Sequence, residues 1–396
     1  MIYIFTIIVI ICLIFKYDIN NFSKKKSYNV WYNIMMVWFI CISGFAYNIG
    51  SDTVIYMNEY DNAIWDNIHN LNDLFYNNER RQPGWIILET ICHSISSNFL
   101  FFKLIIALFG NWAIFRFIKK HSEYKFISIL LYGFILYLHL NFNALRQILA
   151  VGLFLIGYDY LIERKLFKYY ILVIFAYLFH SSAIICTLFP LFLLIKVNRK
   201  SLIMIGCITI SLSFLAFFSD IQQYLELFYV YYGGDMSSDL QYFSESYFTR
   251  EQGTNLNLTG ILFILFNAFV YLFMLYWALR PKSNSENNTK MYLLFLSFYI
   301  LNFNFQVIFF RLLFYVYPFF ICILPSGIMN YAKQNSQTKL LISIIAITYF
   351  SIIPLASLFT INQTTDEPLI VQYYPYYSVF NPEIDPTRSA LFGWHK

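Results

Sequence analysis

The residues of this chain that could do chemistry stand inside oily runs. The sharpest case is "HLNFNALRQILAVG", residues 139–152, where Arg146 and Gln147 open a hydrophobic helix. An arginine at the middle of a bilayer costs about 2.5–3.5 kcal/mol on insertion scales. Two readings account for one here. Near a helix end the side chain can snorkel to the interface and do nothing more. Alternatively it faces a cavity and binds an anion, with Gln147 beside it as a neutral donor. Adjacent helical positions diverge by about 100°, so one of the two points at the cavity and the other at a neighbouring helix.

His180 lies in "YLFHSSAII", followed by two serines. A histidine in an apolar segment is either a satisfied structural residue or a group placed to move a proton near neutral pH. Arg311, in "LNFNFQVIFFRLLFYVYPF" (301–319), is the second arginine within an apolar run. Asn302, Asn304 and Gln306 precede it at a spacing that spreads them around a helix. The stretch therefore reads as the end of one helix and the start of the next, with Arg311 just inside. Asp52, Arg80 and Arg81 stand in the polar stretch 48–98, where charges are ordinarily only solvated. The chain has no Walker A sequence, HExxH, paired DxD or GxSxG. Their absence argues against ATP-driven transport, a metalloprotease, a nucleotide-sugar donor and a serine hydrolase. Two arginines in apolar surroundings with acidic loops on the far side point to a membrane-bound anion, such as a lipid-linked diphosphate.

The elements that position these residues follow from composition. The chain has 396 residues, 59% hydrophobic and 12% charged. A soluble domain carries roughly 25% charged residues, so there is too little polar surface here to coat a globule. Apolar runs of about 15–20 residues recur throughout, which predicts a polytopic integral membrane protein. The net charge of +5 is that of basic cytoplasmic loops and not of a nucleic-acid binder. Cys12, Cys41, Cys92, Cys186, Cys207 and Cys322 lie mostly in apolar segments without CxxC spacing, so neither a disulfide framework nor a metal site is expected. Met1–Phe15, followed by Lys16 and Lys24–Lys26, reads as an uncleaved anchor with its N-terminus outside.

Segments are expected near 2–16, 29–47, 99–115, 126–142, 145–162, 168–180, 182–196, 201–218, 260–279, 291–305, 307–325 and 340–359. All should be helices, because lipid leaves no partner for open backbone. The expected fold is therefore all-α: about 12 membrane helices in a single polytopic domain over 1–396. Basic connections place 16–28, 116–125, 163–168, 196–200, 280–290 and 331–339 in the cytoplasm. The acidic loops 48–98 and 219–259 and the tail 360–396 fall outside. Lys168 and the group Lys196, Arg199 and Lys200 both belong inside, yet only residues 169–195 separate them. That stretch is read as two short helices that enter and return, turning at His180-Ser181-Ser182. Within the first loop, "SDTVIYMNEYDNAIWDNI" suits short amphipathic helices, and "GWIILETICHSIS" a helix lying in the interface.

In order along the chain stand "SDTVIYMNEY", "RRQPGW", "FRFIKKHS", "NALRQILAVGLFLIGYDYLIERK", "YLFHSSAII" and "FRLLFYVYPF". This succession resembles the EpsG-type branch of the Wzy O-antigen and capsule polymerases over most of residues 45–325. Its sharpest elements are the Arg-Gln helix and the His-Ser turn about 30 residues later. The chain departs from relatives at Gln82-Pro83, where an acid is common. The tail 360–396 contributes little to the likeness.

The resemblance implies a bacterial inner-membrane, multi-pass polymerase whose site faces the periplasm. Its substrates would be undecaprenyl-diphosphate-linked oligosaccharide repeat units, joined without nucleotide, metal or other cofactor. A chain-length regulator and a flippase are the partners implied, alongside membrane lipid. In such a transfer an acceptor hydroxyl attacks the anomeric carbon and lipid diphosphate leaves. Arg146, Gln147 and Arg311, with Arg80 and Arg81, are the expected diphosphate ligands. His180 and Asp52 are rival bases. An O-antigen ligase or other membrane transferase using the same lipid-linked sugar, and a flippase for it, are the alternatives. The flippase should show internal repeats, and none is visible.

Overall fold

A computed structural model describes residues 2–19, 26–63, 81–194, 196, 204, 206–209, 211, 286–302, 306–332, 358–359, 367–383 and 385–391. Among them the chain is helical, with no strand; two isolated bridges join Ala46 to Ser378 and Ser378 to Asn381. The expected segments 201–218, 260–279 and 340–359 lie wholly or mostly outside the described residues.

The chain forms two compact units, one of residues 1–190 with 321–396 and one of residues 191–320. In the first, α1 is Ile2–Leu13, extended by a π turn over Ile14–Ile19, and α2 is Lys26–Gly44. The first polar stretch carries α3, Thr53–Asp61, and α4, Pro83–Ile95. Both match the expected short helices. Pro83 opens α4 at a position whose missing N–H is not needed.

Next come α5, Phe99–His121, and α6, Lys125–Tyr132. Helix α5 runs six residues past the expected end, through the basic residues Lys119, Lys120 and His121, which suit a helix C-terminus. Asn98 caps its start by accepting from the Leu100 N–H at 2.9 Å. Helix α6 continues through π turns at Gly133–Tyr137 and His139–Asn143. The widening at the second has a local cause. Asn141 Nδ2 donates to the Tyr137 carbonyl at 3.0 Å, the acceptor that the Asn141 backbone would use in an α turn. Ala144, the one residue outside helical geometry, separates α6 from α7, Leu145–Ile162.

Two polar ties hold this layer of helices. Asn111 on α5 donates to Asn141 at 2.7 Å and accepts from the Tyr132 hydroxyl at 2.9 Å, so a buried knot fixes α5 against α6. At the other end of α5, Asp159 of α7 takes Arg116 at 2.5 Å, Lys120 at 2.8 Å and His121 at 3.3 Å. The C-terminal half of the last long helix also joins this unit, where the Ser128 hydroxyl donates to the Ile321 carbonyl at 2.7 Å.

Helix α8, Leu166–Phe179, ends at His180, which is extended (φ −153°, ψ 122°). A 3-10 helix, Ser181–Leu188, and α9, Phe189–Leu194, follow. The expected hairpin is present, since the Tyr169 hydroxyl on the first limb donates to the Cys186 carbonyl on the second at 2.5 Å. The second limb departs from expectation by starting as a 3-10 helix.

In the second unit, α10 is Glu286–Leu301, and α11, Gln306–Ala332, begins there. A helix end and a new start are found in the expected stretch, but the first helix ends at Leu301, four residues before the expected 305, and the next begins at Gln306. Phe295 packs on Phe320 and Tyr317, with ring centroids 4.6 and 5.0 Å apart. Four helices of the described chain are long and apolar enough to cross a membrane: Ile2–Ile19, Phe99–His121, Leu145–Ile162 and Phe309–Met329.

Candidate functional site

The polar stretch before α5 folds back onto the head of α7. Gly84 makes this possible: a Cβ there would lie 2.7 Å from the Leu178 carbonyl oxygen, so only glycine lets the start of α4 touch the end of α8. That contact carries Gln82 to Arg146. Arg146 Nη1 donates to Gln82 Oε1 at 2.7 Å. The Tyr56 hydroxyl of α3 donates to the Asn143 carbonyl at 3.3 Å. Burial pushes the Tyr56 pKa up; the Asp52 carboxylate adds to this, and Arg146 and Arg81 pull against it. Arg146 Nε is buried without a hydrogen-bond partner, and no carboxylate of the described residues forms an ion pair with this guanidinium. Its charge is met by the neutral Gln82 amide.

Arg81 is not a solvated loop charge. It is ion-paired with Glu59, through Nε at 2.9 Å, and lies over the Tyr56 ring. Glu59 is itself buried, so the pair fastens α3 to the entry of α4. Trp85 is fully buried against Tyr56 and Phe102, at centroid distances of 5.3 and 5.0 Å.

Asp52 stands at the head of α3, half-buried. Its Oδ1 accepts from the Ser51 hydroxyl at 2.8 Å. The turn before it requires Gly50, whose φ is +95° and where a side chain would collide with the Phe142 carbonyl. Asn143 is the hub. Its Oδ1 accepts the Ser51 N–H at 3.0 Å, and its Nδ2 donates to Gln372 Oε1 and to the Tyr373 hydroxyl, both at 2.8 Å. The Asp52 turn is therefore tied to the end of α6 and to the tail.

Gln147, next to Arg146, is 3% exposed and turned into the packing of α7. The divergence expected of these neighbours is present, with Arg146 on the side of the α3–α4 cluster. His180 is also buried. Its Nδ1 caps the 3-10 helix by accepting the Ser182 N–H at 3.3 Å and stands 2.7 Å from the Ser182 hydroxyl. With Nδ1 accepting, the neutral ring carries its proton on Nε2 and presents a donor there. Gly84 and Leu178 bring the His180 turn close to the Gln82–Arg146 pair along the chain. Arg311 belongs to the second unit and is exposed there. Arg80 lies outside the described residues.

Tyr56, Glu59 and the tail were not singled out by sequence reasoning, and neither Gln82 nor Asn143 was given a role in the site. Asn143 and Gln82 stand in motifs already quoted, so a polar residue beside each special helix start was the available signal. The tail offered none. It supplies Gln372 and Tyr373, and an apolar crevice of about 110 Å³ lies beneath Tyr373, among Tyr3, Ile7, Ile10, Phe39 and Tyr137.

Long apolar helices and a half-buried cluster of charged and amide side chains at the head of one of them define a helical membrane protein with a polar site at the end of its bundle. The family model described as the EpsG family matches residues 29–378. The chain belongs to the EpsG family, and that membership supports a role in polysaccharide biosynthesis at a membrane. No curated protein and no solved structure matches the chain.

Proposed function

We propose that this chain is a polysaccharide polymerase, a membrane glycosyltransferase that joins undecaprenyl-diphosphate-linked oligosaccharide repeat units at the outer face of the bacterial cytoplasmic membrane. The observation that carries the reading is Arg146. A half-buried guanidinium bonded to a neutral amide, with no carboxylate ion-paired to it among the described residues, keeps its charge for an anion. A diphosphate leaving group is such an anion.

In the proposed reaction an acceptor hydroxyl oxygen forms a bond to the anomeric carbon of the donor chain. The bond from that carbon to the diphosphate oxygen breaks, and its electron pair leaves with the lipid diphosphate. Negative charge grows there, where one preorganised donor contributes about 3–4 kcal/mol. Arg146 is the assigned donor, and Arg311, Arg80 and Arg81 are further proposed ligands. Gln147 acts by fixing α7. The hydroxyl proton goes to a base. Asp52 is favoured, because its Oδ2 makes no hydrogen bond among the described residues while His180 Nδ1 is engaged as an acceptor. His180 then serves as a donor through Nε2.

The topology that accompanies this function is twelve membrane segments in one domain, with both ends and the loops 48–98 and 219–259 outside. Extraction of lipid-linked sugars from a strain lacking the protein tests the function. Single repeat units left on lipid are the expected result. Long chains retained on lipid would instead mean a ligase, and units trapped inside would mean a flippase.

A further inference from the structure

The C-terminal segment 367–391 lies across the turn that carries Asp52, and one side chain holds it there. Arg388, in the short helix α12, Pro386–Leu391, is fully buried. Its guanidinium bonds three backbone carbonyls: Asn48 through Nη1 at 2.7 Å, Val371 through Nε at 2.9 Å and Pro375 through Nη2 at 2.8 Å. The first belongs to the turn before Asp52 and the other two to the tail. The planar fork of an arginine reaches three such acceptors from three nitrogens, a spread that a lysine, with its donors on one nitrogen, does not reproduce.

The backbone follows the same line. Tyr47 N donates to the Tyr377 carbonyl, Gly50 N to the Gln372 carbonyl and Val379 N to the Phe45 carbonyl, at 3.0, 3.0 and 2.9 Å. A buried amine grips the same turn, for Lys103 Nζ donates to the Ala46 carbonyl at 2.8 Å. Residues 45–50 are thus held through the carbonyls of Phe45, Ala46 and Asn48 and the N–H groups of Tyr47 and Gly50, to α5 and to the tail, and Asp52 follows two residues later. The family match ends at residue 378, short of Arg388.

We infer that Arg388 is a positioning residue: it fastens the C-terminal strap over residues 45–50 and thereby sets where Asp52 stands. The inference rests on the polymerase reading only for its activity arm.

The test uses the full chain, with its six cysteines replaced by serine, reconstituted in liposomes with a lipid-linked repeat unit. Arg388→Gln and Arg388→Lys are compared with the parent. Each is also made with Ala46→Cys and Ser378→Cys, whose antiparallel bridge places the Cα atoms within disulfide range. Arg388→Gln should lower polymer at least tenfold, with Arg388→Lys between it and the parent. Oxidising the introduced thiol pair should restore it to within twofold, and reduction should remove the gain. A residue needed only for folding would not be rescued reversibly. The second arm uses Ser378→Cys as the sole thiol and reads its reaction with a membrane-impermeant maleimide. That thiol should label at least fivefold faster when Arg388 is changed. Unchanged labelling overturns the inference. So does a disulfide that forms without restoring activity lost in Arg388→Gln. If the parent makes no polymer, the polymerase reading falls, and the labelling arm still decides the strap.

Discussion

Arg146 Nη1 donates to Gln82 Oε1 at 2.7 Å, so the cation at the head of α7 meets a neutral amide. A carboxylate here would cancel the charge that an incoming anion needs. Because the amide positions the fork without neutralising it, Arg146 is ordered and still cationic.

Arg146→Lys separates anion binding from snorkelling. Lysine snorkels as well as arginine, but it lacks the planar fork that grips phosphate oxygens in pairs. The variant should accumulate normally and lose polymer by about 10²–10³ fold, as expected for one transition-state donor. Gln147→Ala should lose far less, because a neutral hydrogen bond is worth about 1 kcal/mol. Normal polymer from Arg146→Lys at normal protein levels would return this arginine to a passive role.

His180→Asn distinguishes a cap from a base. Asparagine is among the best residues for accepting the N–H that Nδ1 now accepts. As a cap, His180→Asn should keep thermal stability and most of the polymer, whereas His180→Ala should lose about 1 kcal/mol of stability. Asp52→Asn should lower polymer by about 10²–10⁴ fold, the range for loss of a general base. Full activity of Asp52→Asn together with loss in His180→Asn would exchange the two roles.

Gly84→Val tests the contact that assembles the site. A Cβ 2.7 Å from the Leu178 carbonyl must push α4 from α8, at about 1–3 kcal/mol for overpacking. Melting in detergent should drop by several degrees, and polymer should fall more than folded protein does. A variant with parental melting and polymer would show that α4 does not need α8 to bring Gln82 to Arg146.

Asp159→Asn tests the clasp at the other end of α5. It leaves Arg116, Lys120 and His121 without their shared carboxylate. Arg116 and Lys120 are partly exposed, so the loss should be about 1–2 kcal/mol, below that for a fully buried pair. Activity per folded molecule should hold. A loss of turnover with stability intact would tie this node to the reaction.

Reporter fusions test the topology, with 198 and 284 expected in the cytoplasm and 240 and 375 outside. An outside signal at 198 would remove the re-entrant reading of the α8 hairpin.

The helices of this protein were legible in its sequence because their cause is local. An apolar run must bond its own backbone, and α7 starts and ends at residues 145 and 162 as read. The turn at His180 follows from the basic groups that flank it, and the divergence of Arg146 from Gln147 from helical spacing. What the tertiary structure decided is which polar groups meet. Gln82 and Arg146 stand 64 residues apart, Asn143 and Tyr373 stand 230 apart, and Asn48 and Arg388 stand 340 apart. No periodicity records such pairs, since each is set by two helices packing where a glycine allows it or by a tail returning across a turn. Arg81 read as a surface charge because its partner, Glu59, reaches it only when α3 and α4 fold together. The tail read as uninformative because its hydrogen bonds run mostly through backbone, which every sequence has and none displays.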